Sequence, residues 1–162
     1  MTWLDVSTDN CSIQRTLAVI GEKWTLLLIR DAANGVHRFD DFRRHVGLSE
    51  AVLADRLRTL VASDVFETRE YQASGQRRRR EYRLSPKGWD LYPVLVALMN
   101  WGDKYLADPA GPVRVVEHIA QHGKPCGHRI EAVVRCTHDG DIVGPRDTRA
   151  VDGPGARHLA AS

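Results

Sequence analysis

The run Ser49-Glu50-Ala51-Val52-Leu53-Ala54-Asp55-Arg56-Leu57-Arg58-Thr59-Leu60-Val61 is followed closely by Val65-Phe66-Glu67-Thr68-Arg69-Glu70-Tyr71. Ser49 is a good N-cap, and Val52, Leu53, Leu57, Leu60 and Val61 form one apolar stripe at helical spacing. From Val65 the pattern changes to that of a strand. A second strand, Arg80-Glu81-Tyr82-Arg83-Leu84, follows. Ser74-Gly75 and Arg77-Arg78-Arg79-Arg80 lie between the two, so the pair reads as a hairpin with a basic tip.

Upstream, Ile13, Leu17, Ile20 and Trp24 recur at helical spacing, with Gly21 separating two helices. Asn34-Gly35 stops the second, and Val36 to Phe39 is a short extended piece. Asp40 can cap a third helix carrying Phe39, Phe42 and Val46 on one face, and Gly47 breaks it. Downstream, Ser85-Pro86 opens a long helix to about Leu106, which Pro93 should kink. Two prolines and a glycine within Ala107 to Pro112 end this body. The expected division is an N-terminal arm over 1–10, a main domain over 11–106, a small extension over 107–144 and a disordered tail over 145–162. The order of elements, with two helices joined tightly before a hairpin, is that of a winged helix-turn-helix. The expected class is α+β, mainly helical, with a long C-terminal dimerisation helix and a small β-ribbon extension.

The chain has 162 residues, 43% of them hydrophobic and 27% charged. This suits one soluble domain able to bury a core. No run of about 18 uncharged apolar residues suggests a membrane span. The first ten residues lack the basic-then-apolar pattern of a secretory leader. The 3 cysteines are an odd number, which speaks against a secreted disulfide framework, so a reducing cytoplasm is expected. The net charge of +2 is small. Its distribution is not even, because Arg69 to Arg83 holds 6 arginines against Glu70 and Glu81.

The body resembles the HxlR-type transcriptional regulators, relatives of the MarR group. The residues carrying the resemblance are Cys11, Ile20-Gly21-Glu22-Lys23-Trp24, Arg38-Phe39 with Phe42, Ser49, Leu53, Arg56-Leu57-Arg58 with Leu60, Glu81-Tyr82 with Leu84, Pro86 with Gly88, and Trp101-Gly102. The resemblance implies double-stranded DNA as partner and homodimers joined through terminal helices. It also implies that the position of Cys11 can sense oxidants, quinones or aldehydes.

A recognition helix enters the major groove with its N-terminal residues on base edges. Ser49, Glu50, Ala51, Ala54 and Asp55 are so placed. Glu50 could accept from a cytosine amino group, and Ala51 or Ala54 could touch a thymine methyl. Arg38, Arg43, Arg44, Arg56 and Arg58 are phosphate candidates. Arg77, Arg78, Arg79 and Arg80 suit a minor groove and its flanking phosphates. Cys11 stands at a helix start, with Arg15 one turn on to favour a thiolate. On the long helix, Trp89, Tyr92, Val96, Met99 and Leu106 form a second apolar stripe, expected to meet a partner subunit at a palindromic operator. The first stripe, Leu91, Val94, Leu95, Leu98, Trp101 and Tyr105, is expected to cover the chain's own domain. Trp24, Tyr92 and Trp101 could line a ligand pocket.

The extension carries Cys126-Gly127-His128 and Cys136-Thr137-His138. With strands over Val113 to Ile119 and Arg129 to Cys136, Cys126, His128, Cys136 and His138 could close a tetrahedral zinc site. Relatives' extensions often read Cys-Gly-His and then Cys-x-x-Cys-Gly, and here Asp139 replaces the last cysteine. The pattern thus reads as the remnant of a zinc ribbon, and no cofactor is otherwise expected. The expected function is a homodimeric, sequence-specific DNA-binding regulator, a repressor released by a small-molecule effector or by thiol modification. The alternative is a winged-helix interaction module or a zinc-binding protein without sequence-specific DNA binding. No HExxH, Ser-His-Asp cue or phosphate-binding glycine loop supports an enzyme, and no membrane partner is expected.

Overall fold

The computed structural model describes residues 3–72, 78–120 and 123–159. Four helices come first: α1 (Ser12–Ile20), α2 (Lys23–Ala33), α3 (Phe39–Val46) and α4 (Glu50–Ala62). The antiparallel hairpin of β1 (Phe66–Tyr71) and β2 (Arg79–Leu84) follows. Then come α5 (Pro86–Trp89), α6 (Tyr92–Tyr105) and a short ribbon of β3 (Glu117–Ile119) and β4 (Pro125–Arg129). The chain forms two compact units. One holds the residues up to 90 and those from 150 on; the other is Leu91–Arg149. The sequence reading had placed that boundary at Leu106.

The first unit is built on the stripe that opened the argument. Leu53, Leu57 and Leu60 are buried, and with them Leu28 and Ile29 of α2, Phe42 of α3, and Val65 and Phe66 at the start of the hairpin. The rings of Phe42 and Phe66 stack with centroids 6.2 Å apart. Asp31 of α2 is also buried, at 2% exposure. It is satisfied twice, accepting from Arg30 at 2.7 Å and meeting His45 Nδ1 of α3 at 2.6 Å. Buried carboxylates persist when paired in this way. The pairing also ties the end of α3 to α2.

Local chemistry sets the boundaries. Gly47 takes φ +76° after α3, a left-handed turn that a side chain would strain. Ser49 then caps α4 by accepting from the Val52 amide. The helix expected to be capped by Asp40 begins earlier, at Phe39, with Asp40 in its first turn, where a carboxylate favours the helix dipole. Ser85 Oγ accepts from the Gly88 amide at 3.0 Å and donates to the Asp64 carbonyl at 2.5 Å. Gly88 lies so close to the Val65 carbonyl that a Cβ there would collide with backbone. Replacing Ser85 by alanine should therefore cost about 1–2 kcal/mol, from lost capping and an orphaned carbonyl. The midpoint of urea unfolding checks this.

Three sequence expectations are corrected. The single long helix is two, broken at Asp90-Leu91. Pro93 lies in the first turn of α6, where its missing N–H is harmless, so the chain breaks before it rather than kinking at it. The extension's strands are shorter and shifted: Val113 to Val116 lie outside the β3–β4 ladder, and Ile130 to Cys136 contribute an isolated antiparallel bridge between Arg135 and Ile142. The tail expected to be disordered is paired. Its Arg157 carbonyl accepts from Ser7 at 2.8 Å, its Leu159 amide donates to Asp5 at 2.8 Å, and Val6 and His158 bridge antiparallel. Backbone pairing at such distances needs no apolar side chains, which is why an alanine-rich composition concealed it.

Candidate nucleic-acid interface

The turn Gly47-Leu48 joins α3 to α4, and Leu48 is buried beneath it. The N-terminal face of α4 is thereby left open. Ser49, Glu50, Ala51, Val52, Asp55 and Arg58 are all exposed there. Val52 had been assigned to the core stripe, but it is 39% exposed in the first turn of α4. It adds an apolar group able to meet a thymine methyl. Only the packing revealed it, since its helical spacing fits the stripe equally well. Ala54 is half-buried. Arg56 is also half-buried, and its Nε is buried without a hydrogen-bond partner.

Several expected DNA contacts are engaged with one another. Arg43 of α3 pairs with Glu50 at the start of α4. Arg44 pairs with Asp41 at 2.8 Å and Arg58 with Asp55 at 3.1 Å. All are exposed pairs, worth about 0–1 kcal/mol each. They hold these side chains ready at low cost and can exchange onto phosphate.

The hairpin is fastened beside α3. Arg79 reaches Asp40 at 3.8 Å and Arg78 reaches Glu70 at 3.5 Å. Arg80 is exposed. Arg77, also expected to contact DNA, lies outside the described residues. Arg38 proves to be a fastener as well. Its guanidinium stacks over Tyr71 at 4.8 Å and pairs with Glu81 at 3.6 Å, while its backbone bridges Glu81. Tyr71 carries no charge signal in the sequence and was not singled out there.

Glu81 is the hub of this fastening, because Arg83 also donates to it at 2.8 Å. The Arg83 hydrogen bond and charge, with help from Arg38, hold its carboxyl below the ordinary value of 4.5. A lowered carboxyl contributes stability above its unfolded value and loses it as pH falls through the folded one. The Glu81 contribution should thus be complete at neutral pH and vanish only below about pH 4.5. Glu81→Gln should flatten the acid limb of the stability profile, read by thermal unfolding between pH 3 and pH 7 as roughly set by the carboxylate range.

Elsewhere the expected sites are arranged differently. Cys11 is the N-cap of α1 and half-buried, and Arg15 donates to Asn10 Oδ1 at 3.2 Å. On α6, Val96 of the expected partner stripe is buried, and Tyr92 and Met99 are half-buried. Trp89 is not on that helix at all. The exposed apolar residues come from both expected stripes: Val94, Leu98, Trp101 and Tyr105 from the one assigned to the chain's own domain, and Trp89 and Leu106 from the one assigned to a partner. Periodicity had resolved both stripes without saying which would be covered. Two clefts of about 300 Å³ occur in the first unit, and neither is lined by Trp24, Tyr92 or Trp101.

Cys126, His128, Cys136 and His138 do not converge. Among the described residues no three His, Cys, Asp or Glu side chains could share a metal ion. The reason is local. His128 Nδ1 hydrogen-bonds the Cys126 carbonyl at 2.9 Å on the same strand. Cys136 lies in a separate tight turn, where its thiol and the Asp141 amide hold the Asp139 carboxyl below its usual range, the amide more strongly. Asp139 thus acts as a turn-stabilising acceptor in place of a ligand.

A model of the HxlR-like helix-turn-helix family matches residues 19–110. The chain is 38% identical over 151 residues to an uncharacterised HTH-type transcriptional regulator of Mycobacterium tuberculosis, covering 93% of this chain and 91% of that protein. The crystal structure of PA1607, described as a transcription factor, is 34% identical with a TM-score of 0.74, over 90% of this chain and 96% of that one. The redox regulator HypR in its oxidised form is 29% identical with a TM-score of 0.55, over 60% of this chain and 100% of that one. No helix among the described residues is long and apolar enough to cross a membrane. The open face of α4, the wing beside it and these likenesses agree: the chain belongs to the HxlR-like helix-turn-helix family and is a transcriptional regulator with a DNA-binding winged-helix fold.

Proposed function

We propose that the chain is a homodimeric, operator-specific repressor, released by a small-molecule effector or by modification of Cys11. The observation that carries the DNA reading is a pair of ion pairs on the first unit, both based on α3. One joins Arg79 of the wing to Asp40, and the other joins Arg43 to Glu50 in the first turn of α4. Phosphate-reading and base-reading groups are thereby held in one register.

The dimer reading is supported by apolar surface with nothing over it. On α1, Ile13 is 72% and Leu17 56% exposed. On α6 the exposed stripe includes Trp101, at 57%. Rows of this kind mark protein interfaces. Two joined copies would present their α4 helices to half-sites about 34 Å apart. Repression needs only that the bound dimer occupy its site. For the thiol route, support comes from the half-buried Cys11 at a helix start and from the likeness to HypR, itself a redox regulator. Among the described residues no group of three His, Cys, Asp or Glu side chains could hold a metal ion.

The test is a titration of reduced full-length protein against a selected pool of duplex DNA, at two salt concentrations, before and after mild thiol oxidation. Selective binding of a palindrome, with two chains per site, is the expected result. Loss of binding on oxidation, abolished in Cys11→Ser, assigns control to the thiol. Binding indifferent to oxidation assigns it to an effector. Weak and unselective binding would overturn the proposal.

A further inference from the structure

We infer that Glu50 reads a cytosine in each operator half-site, and that it gives up Arg43 to do so, which makes one phosphate contact conditional on the correct base. Glu50 has this role only if the chain is the operator-specific regulator proposed above. Arg43 and Glu50 are 7 residues apart and belong to the two helices that meet at the turn, α3 and α4. In a helix-turn-helix the first helix crosses the phosphate backbone and the second enters the major groove. The Arg43–Glu50 pair therefore ties a backbone-facing side chain to a base-facing one. The other exposed pairs on these helices, Arg44 with Asp41 and Arg58 with Asp55, each stay within one helix and make no such link.

The position of Glu50 selects the base. It is the first residue of α4, and its side chain is 69% exposed. Its neighbours Ser49, Ala51 and Val52 are exposed as well, and none is long enough to keep a carboxylate from a base edge. An ionised carboxylate can only accept hydrogen bonds. In the major groove guanine presents two acceptors and thymine one, so both repel it. Adenine has an amino donor but sets the N7 acceptor beside it. Cytosine is the base whose own edge offers a donor and no acceptor.

The pairing with Arg43 turns this preference into a test of sequence. Exposed pairs of this kind are weak and give way to a better partner. On the correct base, Glu50 accepts from the cytosine amino group and Arg43 is released to a phosphate. On any other base, Glu50 finds no suitable donor and keeps Arg43, and that phosphate contact is not made. A carboxylate is also favourable at the positive start of α4, so Glu50 stays in place when Arg43 leaves.

Operator selection from a duplex pool, followed by anisotropy titrations of the full-length protein on operator and on unrelated duplex at several salt concentrations, tests this. Wild type should prefer cytosine by about tenfold at one position in each half-site. Glu50→Ala should lose that preference and keep those at other positions. It should also steepen the salt slope on unrelated DNA by about 0.9 for each chain, because Arg43 is then free to meet phosphate there. Glu50→Gln, whose amide both donates and accepts, should prefer adenine at the same position. Arg43→Met should flatten the slope on operator by about 0.9 for each chain and leave the slope on unrelated DNA unchanged. A merely structural role for Glu50 would move neither the base preference at one position nor these slopes. An unchanged cytosine preference in Glu50→Ala, or the same slope on unrelated DNA in wild type and Glu50→Ala, would overturn the inference. An operator whose base preferences ignore Glu50 removes this reading and leaves the regulator. If wild type selects no operator, the function proposed above falls, and this reading falls with it.

Discussion

Replacing Arg78, Arg79 and Arg80 together by alanine should weaken operator binding about a hundredfold at physiological salt. Each phosphate contact contributes about 0.9 to the slope of log affinity against log salt, so three removed contacts flatten the slope by about 2.7. These arginines are exposed, and the partners of Arg78 and Arg79 are exposed carboxylates at 3.5 and 3.8 Å. Such pairs give way to phosphate at little cost. Their loss should leave folding nearly unchanged, because none contributes to the core. Fluorescence anisotropy on a labelled operator at several salt concentrations measures both numbers. If affinity falls by less than about threefold with an unchanged slope, the wing does not touch DNA.

The second large effect concerns the fold. Phe42→Ala should destabilise the protein by about 3–5 kcal/mol. Phe42 is 0% exposed and stacks on Phe66, so it joins the helix before α4 to the root of the wing. Truncation there leaves a cavity between two elements that must keep register to read DNA. Phe42→Leu keeps most of the volume and should cost less than about 1.5 kcal/mol. Denaturant unfolding of both variants, beside wild type, checks the ordering. A Phe42→Ala cost under about 1 kcal/mol would mean that the stack is not a support of the helix-turn-helix.

Residue by residue, the sequence was informative where the deciding chemistry is local. Ser49 and Ser85 act within three residues of themselves, on Val52 and Gly88. The alternation from Val65 to Tyr71 against Arg80 to Leu84 is likewise a property of two short runs, and the hairpin pairs Phe66 with Leu84 and Tyr71 with Arg79. The candidate interface was legible to the same degree. Its residue types and their place at the start of α4 could be read directly. The pairing of Arg43 with Glu50 could not, because nothing in their spacing says that two helices will bring them together. The arrangement of the four candidate metal ligands was illegible for the same reason. Cys126 and His128 share β4, outside the strands expected for the extension, and the turn holding Cys136 closes on Asp139 and Asp141.

The sequence alone therefore determined the element order as far as the hairpin, the Ser49 and Ser85 caps, the basic hairpin and the family to which they belong. These follow from interactions between neighbours in the chain, whose geometry the backbone dictates. Tertiary structure decided which residues of the two stripes near the end of the body stay bare. It left Arg56 half-buried while Val52 looks out. It made Arg38 a clasp on Tyr71 and Glu81, and it paired the alanine-rich tail with the N-terminal arm. Burial and ion pairing depend on what a second element places opposite a residue. Periodicity along one element leaves that undetermined.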